Sequence, residues 1–357
     1  MKQRKERIIL SLLLVLALLL GGCGAASPSG ASAAADPEAA ERANRYVDSM
    51  DTIIELTAYG SGREAALDAA TAEILRLNDL LSIGLEDSEV SRLNREGSGK
   101  LGPDAAYLVG RALEIYDSTG GAFDPTVYPL MVLWGFTGGE HHVPNDTELA
   151  ETLARVGADR VQYDAQSGEV RLDAGQAIDL GGIAKGYTSA RIMEIYREHG
   201  LSSGLVSLGG NVQCLGAKPD GSAWRIGVRN PDTAAGGIVA VVSVKDMAVI
   251  SSGGYERFFV DEATGVTYEH IMDPQTGRPV HNELAQVTIV TKDGTLGDGL
   301  STALYILGLD AASDYWRAHR EEFDAVFVGR DGQIWITAGL ESCASAVEGG
   351  SPLQIIR

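Results

Sequence analysis

The chain contains 357 residues, of which 45% are apolar and 22% are charged. This composition is typical of a folded globular protein and excludes a disordered chain, a collagen-like rod and a coiled coil. The formal net charge of −20 argues against a nucleic-acid partner, because phosphate backbones are bound by basic surfaces.

The first 22 residues have the pattern of a secretory signal. Four basic residues lie within the first seven positions, and Ile8–Leu20 is an apolar run interrupted only by Ser11. Such a run is short for a transmembrane helix and matches the apolar region of a signal peptide. The Gly-Gly-Cys triplet that ends at Cys23 resembles a bacterial lipobox, in which the cysteine thiol receives a diacylglycerol. The alternative is an ordinary cleavage site that contains a cysteine.

We therefore expect a lipidated Cys23 and a mature protein anchored at the outer face of the cytoplasmic membrane or in the periplasm. Residues 23–40 are dominated by Ala, Ser, Gly and Pro, which predicts a flexible tether. Residues 41–357 show no further linker and are expected to form a single domain. Cys214 and Cys343 are expected to be free thiols, although an oxidising compartment permits a disulfide.

Hydrophobic periodicity and turn residues predict an α+β fold, with mixed or antiparallel sheets flanked by helices. The expected helices span residues 41–50, 64–81, 103–118, 147–156, 183–199, 296–307 and 311–320. The expected strands span residues 52–59, 161–163, 169–172, 204–208, 224–228, 238–244, 255–260, 266–270, 286–290, 325–328 and 334–336, with a further strand ending at Leu180.

Six turn-rich segments place a polar group beside glycine, and the segment around residues 179–187 is one of them. Its sequence is D-L-G-G-I-A-K-G-Y, which predicts a strand, a close backbone approach and a helix N-terminus. Helix N-termini bind phosphate through free N–H groups, and Lys185 adds a positive charge. The alternative is a tight strand-to-helix connection without a ligand.

Asp298 and Thr302 are the strongest candidates for a metal site. They lie four residues apart at the start of a predicted helix, so their oxygens point the same way. Two such oxygens, with backbone carbonyls and water, suit Mg²⁺. The alternative is an aspartate that complements the helix dipole and a threonine that bonds back to the helix.

His270 follows a predicted strand and precedes a Pro-Gly turn. An unperturbed histidine titrates near neutral pH and can act as a general base. A structural or exposed histidine is the alternative that its position alone leaves open.

Eight segments, taken in order, resemble the ApbE family of FAD:protein FMN transferases. They are G-A-F-D-P-T-V (121–127), L-W-G-F (133–136), D-L-G-G-I-A-K-G-Y (179–187), S-L-G-G-N-V (207–212), W-R-I-G-V-R-N-P (224–231), S-G-G-Y-E-R-F (252–258), H-I-M-D-P-Q-T-G-R-P (270–279) and D-G-L-S-T-A-L (298–304). The resemblance runs from Met50 to about Gly308.

The resemblance implies a specific activity. Family members bind FAD and Mg²⁺, transfer the FMN part to a threonine hydroxyl of a target flavoprotein and release AMP. Their targets are subunits of redox pumps and reductases with a D-x-x-T acceptor motif. Some members hydrolyse FAD to FMN and AMP instead, and a non-catalytic flavin-binding lipoprotein is a further alternative.

The resemblance also implies roles for individual residues. Mg²⁺ would be held by the backbone oxygen of Ala184, the Asp298 carboxylate and the Thr302 hydroxyl, and His270 would be the base. The residues expected to line FAD are Met50, Ala122, Phe123, Asp124, Gly181, Lys185, Tyr187, Ile271 and Met272.

Two segments depart from the family pattern. Asp51 occupies a position where many members have glycine, and residues 82–88 lack an aromatic residue that members often carry near Gly84.

Overall fold

The computed structural model describes residues 41–357, and these residues belong to one compact unit. The seven α-helices of this part are α1 (Arg63–Leu81), α2 (Glu89–Glu96), α3 (Pro103–Ser118), α4 (Tyr128–Leu133), α5 (Asp146–Leu153), α6 (Gly181–Glu198) and α7 (Gly294–His319).

Seventeen strands accompany these helices in the described residues. They are β1 (Arg42–Ser49), β2 (Thr52–Tyr59), β3 (Ser98–Lys100), β4 (Gln162–Asp164), β5 (Glu169–Arg171), β6 (Ser203–Leu208), β7 (Asn211–Leu215), β8 (Trp224–Arg229), β9 (Ile238–Val244), β10 (Ala248–Gly253), β11 (Phe258–Val260), β12 (Thr267–Glu269), β13 (Leu284–Thr291), β14 (Phe323–Gly329), β15 (Ile334–Thr337), β16 (Ala344–Ala346) and β17 (Leu353–Ile356).

A nine-stranded sheet forms the centre of the unit. Its order is β1-β2-β6-β7-β10-β13-β14-β15-β17, and every neighbouring pair is antiparallel except β15 with β17. Smaller sheets are formed by β16-β9-β8, by β3-β5-β4 and by β11-β12. This architecture confirms the predicted α+β class with mixed, mainly antiparallel sheets.

The middle strands of the central sheet are buried on both faces. Helices α1, α6 and α7 cover one face, where apolar residues of the helices and strands form continuous clusters. The sheet β16-β9-β8 covers the opposite face through a second apolar layer that includes Trp224, Val249 and Val326. Burial of both faces explains why β13 is apolar along most of its length, in the manner of a central strand.

Two sequence predictions are wrong. Residues 41–50 were expected to be helical, but Arg42–Ser49 is a strand paired with β2 along its whole length. Its side chains alternate between more exposed and more buried positions, a period of two that favours a strand. The strand expected to end at Leu180 does not form. Instead, the side chain of Asn94 bonds both backbone groups of Ile178, at 2.7 and 2.8 Å.

Other predictions differ in detail. The segment expected as a strand at 255–260 begins with a 3₁₀ turn, and strand pairing starts at Phe258. The predicted break between two C-terminal helices is present, because Gly308 has non-helical backbone angles within α7. Two helices and five strands were not predicted, namely α2, α4, β3, β7, β10, β16 and β17. Cys214 and Cys343 are free thiols, as expected.

Candidate active site at one end of the central sheet

Two hairpin turns and the end of β10 meet at one end of the central sheet. Met50 and Asp51 join β1 to β2, and Gly209 and Gly210 join β6 to β7. Because Ile54 pairs with Leu208, the two turns lie side by side. Strand β10 runs antiparallel to β7, so its C-terminal residues reach the same end. Glycine-rich segments that are distant in sequence are thus brought together at one end of the central sheet.

Asp298 is a residue of α7 that packs at this end of the central sheet, and it is 4% exposed. Its Oδ2 accepts a hydrogen bond from the Gly186 N–H at 2.8 Å, and its Oδ1 accepts one from Asn211 Nδ2 at 2.8 Å. Burial raises the pKa of this carboxyl group, while the charge of Lys185 and these hydrogen bonds act in the opposite direction. The carboxylate is therefore fixed in orientation but only weakly neutralised.

The fixed orientation of Asp298 depends on a close contact between α6 and α7. A Cβ atom on Gly186 would lie 2.1 Å from the Gly294 carbonyl oxygen and 2.6 Å from Asp298 Cβ. Only glycine permits this approach. The close contact is what allows the Gly186 N–H to reach the Asp298 side chain.

Hydroxyl groups lie one helical turn from Asp298. Thr302 Oγ1 is 3.2 Å from the Ser252 hydroxyl, which is 2.7 Å from the Ser301 hydroxyl. Ser252 is on β10, so these contacts connect the sheet edge to α7. The Ala184 carbonyl lies in the first turn of α6 and accepts a hydrogen bond from the Thr188 hydroxyl at 2.8 Å.

This donor set fits a magnesium ion. Asp298 is a buried carboxylate that still has free lone pairs on both oxygens, and a divalent cation would supply the charge that its surroundings lack. No group of three or more His, Cys, Asp or Glu side chains suited to a metal occurs within residues 41–357. The expected set contains only one such side chain, with a hydroxyl and a carbonyl as the other ligands.

The first turn of α6 adds charged groups near this carboxylate. Asp179 Oδ1 accepts from the Gly181 N–H at 2.8 Å, and burial raises the pKa of Asp179. Lys185 Nζ is 3.3 Å from the Gly181 carbonyl oxygen. Lys185 thus lies near the buried Asp298 carboxylate and the half-buried Asp179 carboxylate, an arrangement that can receive both an anionic ligand and a metal.

His270 is half-buried beside Arg257. Its Nδ1 is 3.1 Å from the Arg257 carbonyl oxygen. A carbonyl only accepts, so Nδ1 carries the proton and Nε2 keeps a free lone pair. Burial, followed by the nearby Arg257 charge, lowers the pKa of His270 to about 4. The imidazole is consequently neutral at pH 7 and able to accept a proton at Nε2.

The GAFD segment is largely committed to structure. Asp124 is 6% exposed and accepts hydrogen bonds from the N–H and hydroxyl of Thr126, at 2.7 and 2.6 Å, and from the Ala158 N–H at 3.2 Å. Its side chain is a capping group. Ala122 and Phe123 are buried, and the Phe123 ring packs against Gly182 at the start of α6.

The remaining predicted flavin-lining residues have well-defined partners. The Met50 N–H donates to Asn78 Oδ1 at 3.2 Å. The Tyr187 hydroxyl donates to Asp104. Ile271 and Met272 are buried directly after His270, with Met272 in an apolar cluster that includes Trp134. The lipidation prediction for Cys23 lies outside the described residues.

Three residues at this edge were missed as functional candidates: Asn211, Ser252 and Glu269. Asn211 and Ser252 lie within segments that the sequence singled out for their glycines, and their positions beside glycine were the available signal. Asn211 contacts Asp298 and Ser252 contacts Thr302, over separations of 87 and 50 positions.

The chain matches the ApbE family model over residues 50–327. It is 34% identical to the FAD:protein FMN transferase of Treponema pallidum, covering 82% of this chain and 85% of that protein. It is 32% identical to a protein of the same name from Klebsiella pneumoniae, covering 81% and 90%.

Solved structures agree with these similarities. The ApbE protein of Thermotoga maritima superposes with a TM-score of 0.76 at 31% identity, covering 82% of this chain and 96% of that chain. The flavin transferase ApbE of Vibrio cholerae gives a TM-score of 0.76 at 25% identity, covering 85% and 99%. These matches confirm the resemblance that the sequence motifs indicated, and the chain belongs to the ApbE family.

Proposed function

We propose that this protein transfers the FMN part of FAD to a threonine hydroxyl of a target flavoprotein, with release of AMP and with a requirement for Mg²⁺. Relatives of this chain are named FAD:protein FMN transferases. The single observation that carries the proposal is the buried, weakly neutralised Asp298 carboxylate, which two hydrogen bonds orient one helical turn before Thr302.

The metal would be held by the Ala184 carbonyl, the Asp298 carboxylate and the Thr302 hydroxyl. When bound, Mg²⁺ neutralises negative charge on the pyrophosphate oxygens of FAD. Lys185 adds a fixed positive charge for the same phosphates. The positive end of the α6 dipole lies nearby and also favours phosphate.

The residues proposed to line FAD are those indicated by the family resemblance. They are Met50, Ala122, Phe123, Asp124, Gly181, Lys185, Tyr187, Ile271 and Met272. The Asp124 side chain would act indirectly, because its oxygens are occupied by backbone and hydroxyl donors of this chain.

His270 would act as the general base. The acceptor hydroxyl donates its proton to Nε2, and its oxygen forms a bond to the phosphorus on the FMN side of the pyrophosphate. The bond between this phosphorus and the bridging oxygen breaks, and AMP leaves with that oxygen. The contact of Nδ1 with the Arg257 carbonyl leaves the Nε2 lone pair free to receive this proton.

The acceptor and the cellular location are also part of the proposal. The target would be a flavoprotein subunit, of a redox pump or reductase, with a D-x-x-T segment. Lipid on Cys23 would hold the enzyme at the outer face of the cytoplasmic membrane. Within the described residues, none of the helices combines the length and apolarity needed to cross a bilayer.

The test uses the wild-type protein with FAD, Mg²⁺ and an acceptor protein that contains a D-x-x-T segment. We expect the acceptor to gain the mass of one FMN residue, and we expect this gain to disappear with EDTA. Asp298→Ala should abolish the gain and weaken Mg²⁺ binding measured by calorimetry. Asp310→Ala is the matched control, because Asp310 is an exposed aspartate on the same helix.

Two outcomes would contradict the proposal. Formation of FMN and AMP without a mass gain on the acceptor would identify an FAD pyrophosphatase. Binding of intact FAD without turnover would identify a flavin-binding lipoprotein. Unchanged turnover and Mg²⁺ affinity in Asp298→Ala would refute the metal assignment while leaving the transferase reaction in place.

A further inference from the structure

Glu269, the residue directly before His270, forms a closed network with Tyr305 and Arg330. Glu269 Oε1 and Oε2 accept from Arg330 Nη1 and Nη2 at 3.0 and 3.1 Å, and Oε2 also accepts from the Tyr305 hydroxyl at 2.7 Å. Arg330 Nη2 donates to the Tyr305 hydroxyl at 3.0 Å. The Glu269 side chain is only 14% exposed. A bidentate pair in this setting fixes direction as well as distance.

Each partner of Glu269 is itself anchored. Arg330 Nε donates to the Asn282 carbonyl at 2.9 Å, and the Arg330 N–H donates to the Glu283 carbonyl at 2.8 Å. The carboxyl group also packs on the backbone of Gly254, where a Cβ atom would lie 1.9 Å from Glu269 Cδ. The network therefore joins β12 to the backbone of Asn282 and Glu283 and to Gly254, directly after β10.

Tyr305 connects this network to the helix that carries the proposed metal ligands. Tyr305 is seven residues after Asp298 and three after Thr302 on α7, so the three side chains share one helical face. Glu269 thus links the strand that ends at His270 with the face of α7 that holds the ligands.

His270 needs a link to α7, because the other contacts of its hairpin are made elsewhere. Phe259 and Tyr268 of the hairpin pack in the apolar cluster around Trp134, which α7 does not join. Strands β11 and β12 each contain three residues and form a separate two-stranded sheet. Two-stranded sheets of this kind are marginally stable by themselves in water. The contacts of His270 with Arg257, through the backbone N–H at 3.0 Å and through Nδ1 at 3.1 Å, lie within the same hairpin. These contacts set the ring relative to the hairpin but do not set the hairpin relative to α7.

We propose that Glu269 is a positioning residue that fixes the His270 imidazole relative to Asp298 and Thr302 through Tyr305 and Arg330. This inference rests on the proposed function, in which His270 is the general base. Displacement of a reacting group by about 1 Å can lower a rate by about 100-fold.

The test is a double-mutant cycle of Glu269→Gln and His270→Asn in the FMN transfer assay. We expect Glu269→Gln to lower kcat by about 10- to 100-fold, with the Kd for FAD unchanged. In the His270→Asn background, Glu269→Gln should have no further effect, because its influence passes through the imidazole. Glu262→Gln is the matched control, an exposed glutamate in the turn of the same hairpin. Tyr305→Phe, which keeps the ion pair, should give a smaller loss of kcat.

The outcomes separate this inference from the proposed function. If His270→Asn is slow while both Glu269→Gln and Tyr305→Phe transfer FMN at the wild-type rate, the positioning role is wrong and the base remains. If Glu269→Gln slows the wild type and the His270→Asn variant by the same factor, Glu269 acts independently and the inference is overturned. If His270→Asn itself transfers at the wild-type rate, the base assignment fails, and the positioning role fails with it. Tyr305→Phe decides the question if Glu269→Gln does not fold.

Discussion

The contact between α6 and α7 gives the sharpest structural prediction, because one glycine separates the two helices. In Gly186→Ala, the new Cβ atom would lie 2.1 Å from the Gly294 carbonyl oxygen. Carbon and carbonyl oxygen atoms in close contact are normally about 3.3 Å or more apart. The helices must therefore separate by about 1 Å locally, and the Gly186 N–H moves away from Asp298 Oδ2.

The expected change in stability follows from two opposing terms. Overpacking of a filled interior costs about 3 kcal/mol when the obstructing atom belongs to the backbone. Replacement of glycine by alanine within a helix returns about 1 kcal/mol. We therefore expect Gly186→Ala to lower the free energy of unfolding by about 2 kcal/mol. The displaced carboxylate should also lower Mg²⁺-dependent FMN transfer by about 10-fold or more.

Urea unfolding and the FMN transfer assay measure these two effects. Gly99→Ala is the matched control, since no atom lies within 4 Å of a Cβ at Gly99 in strand β3. That variant should be at least as stable as the wild type and should keep full activity. A Gly186→Ala protein with wild-type stability and wild-type Mg²⁺ dependence would refute the argument from close approach.

Three further predictions concern single residues. Asp124→Ala should lower the free energy of unfolding, measured in urea, by about 2 to 3 kcal/mol. It leaves two buried backbone N–H groups and a hydroxyl without their acceptor. Unchanged stability would show that water replaces the carboxylate. Asp51→Gly should raise the free energy of unfolding, measured in the same way, by about 0.5 kcal/mol. Asp51 has a φ of 58° in a two-residue hairpin turn, and glycine adopts this angle more readily. A less stable variant would show that the Asp51 side chain makes a favourable contact. His270 has a native pKa of about 4, below its ordinary value of 6.5, so the unfolded chain binds a proton between these pH values that the native state does not. The free energy of unfolding should therefore fall as the pH decreases from 6.5 towards 4, and it should fall less in His270→Asn. Urea midpoints of the wild type and of His270→Asn that depend equally on pH would contradict the burial of His270.

Local sequence signals were sufficient for much of the fold. Helix α3 was predicted with its observed ends, because Pro103 marks its first turn and the apolar spacing is regular. The break in α7 was predicted between residues 307 and 311, where Gly308 has non-helical backbone angles. The eight motifs identified the family, since glycines and polar residues in a fixed order are a specific signal even where each motif is weak.

Long-range contacts decided what the sequence could not. Residues 41–50 were predicted to be helical, and their pairing with β2 makes them a strand instead. A strand was predicted to end at Leu180, but the Asn94 side chain bonds the backbone groups of Ile178 that a strand partner would need.

At the site, the chemistry of the donors follows from the sequence, because residue type fixes which oxygens and nitrogens are present. Asp298, Thr302, Lys185 and His270 could all be chosen in this way. The orientation of these donors and the charges around them depend on contacts between distant segments. The Gly186 contact, the Asn211 hydrogen bond and the Glu269 network join residues from 36 to 112 positions apart. Orientation and burial are set by these packing contacts, and periodicity along one segment carries no information about them.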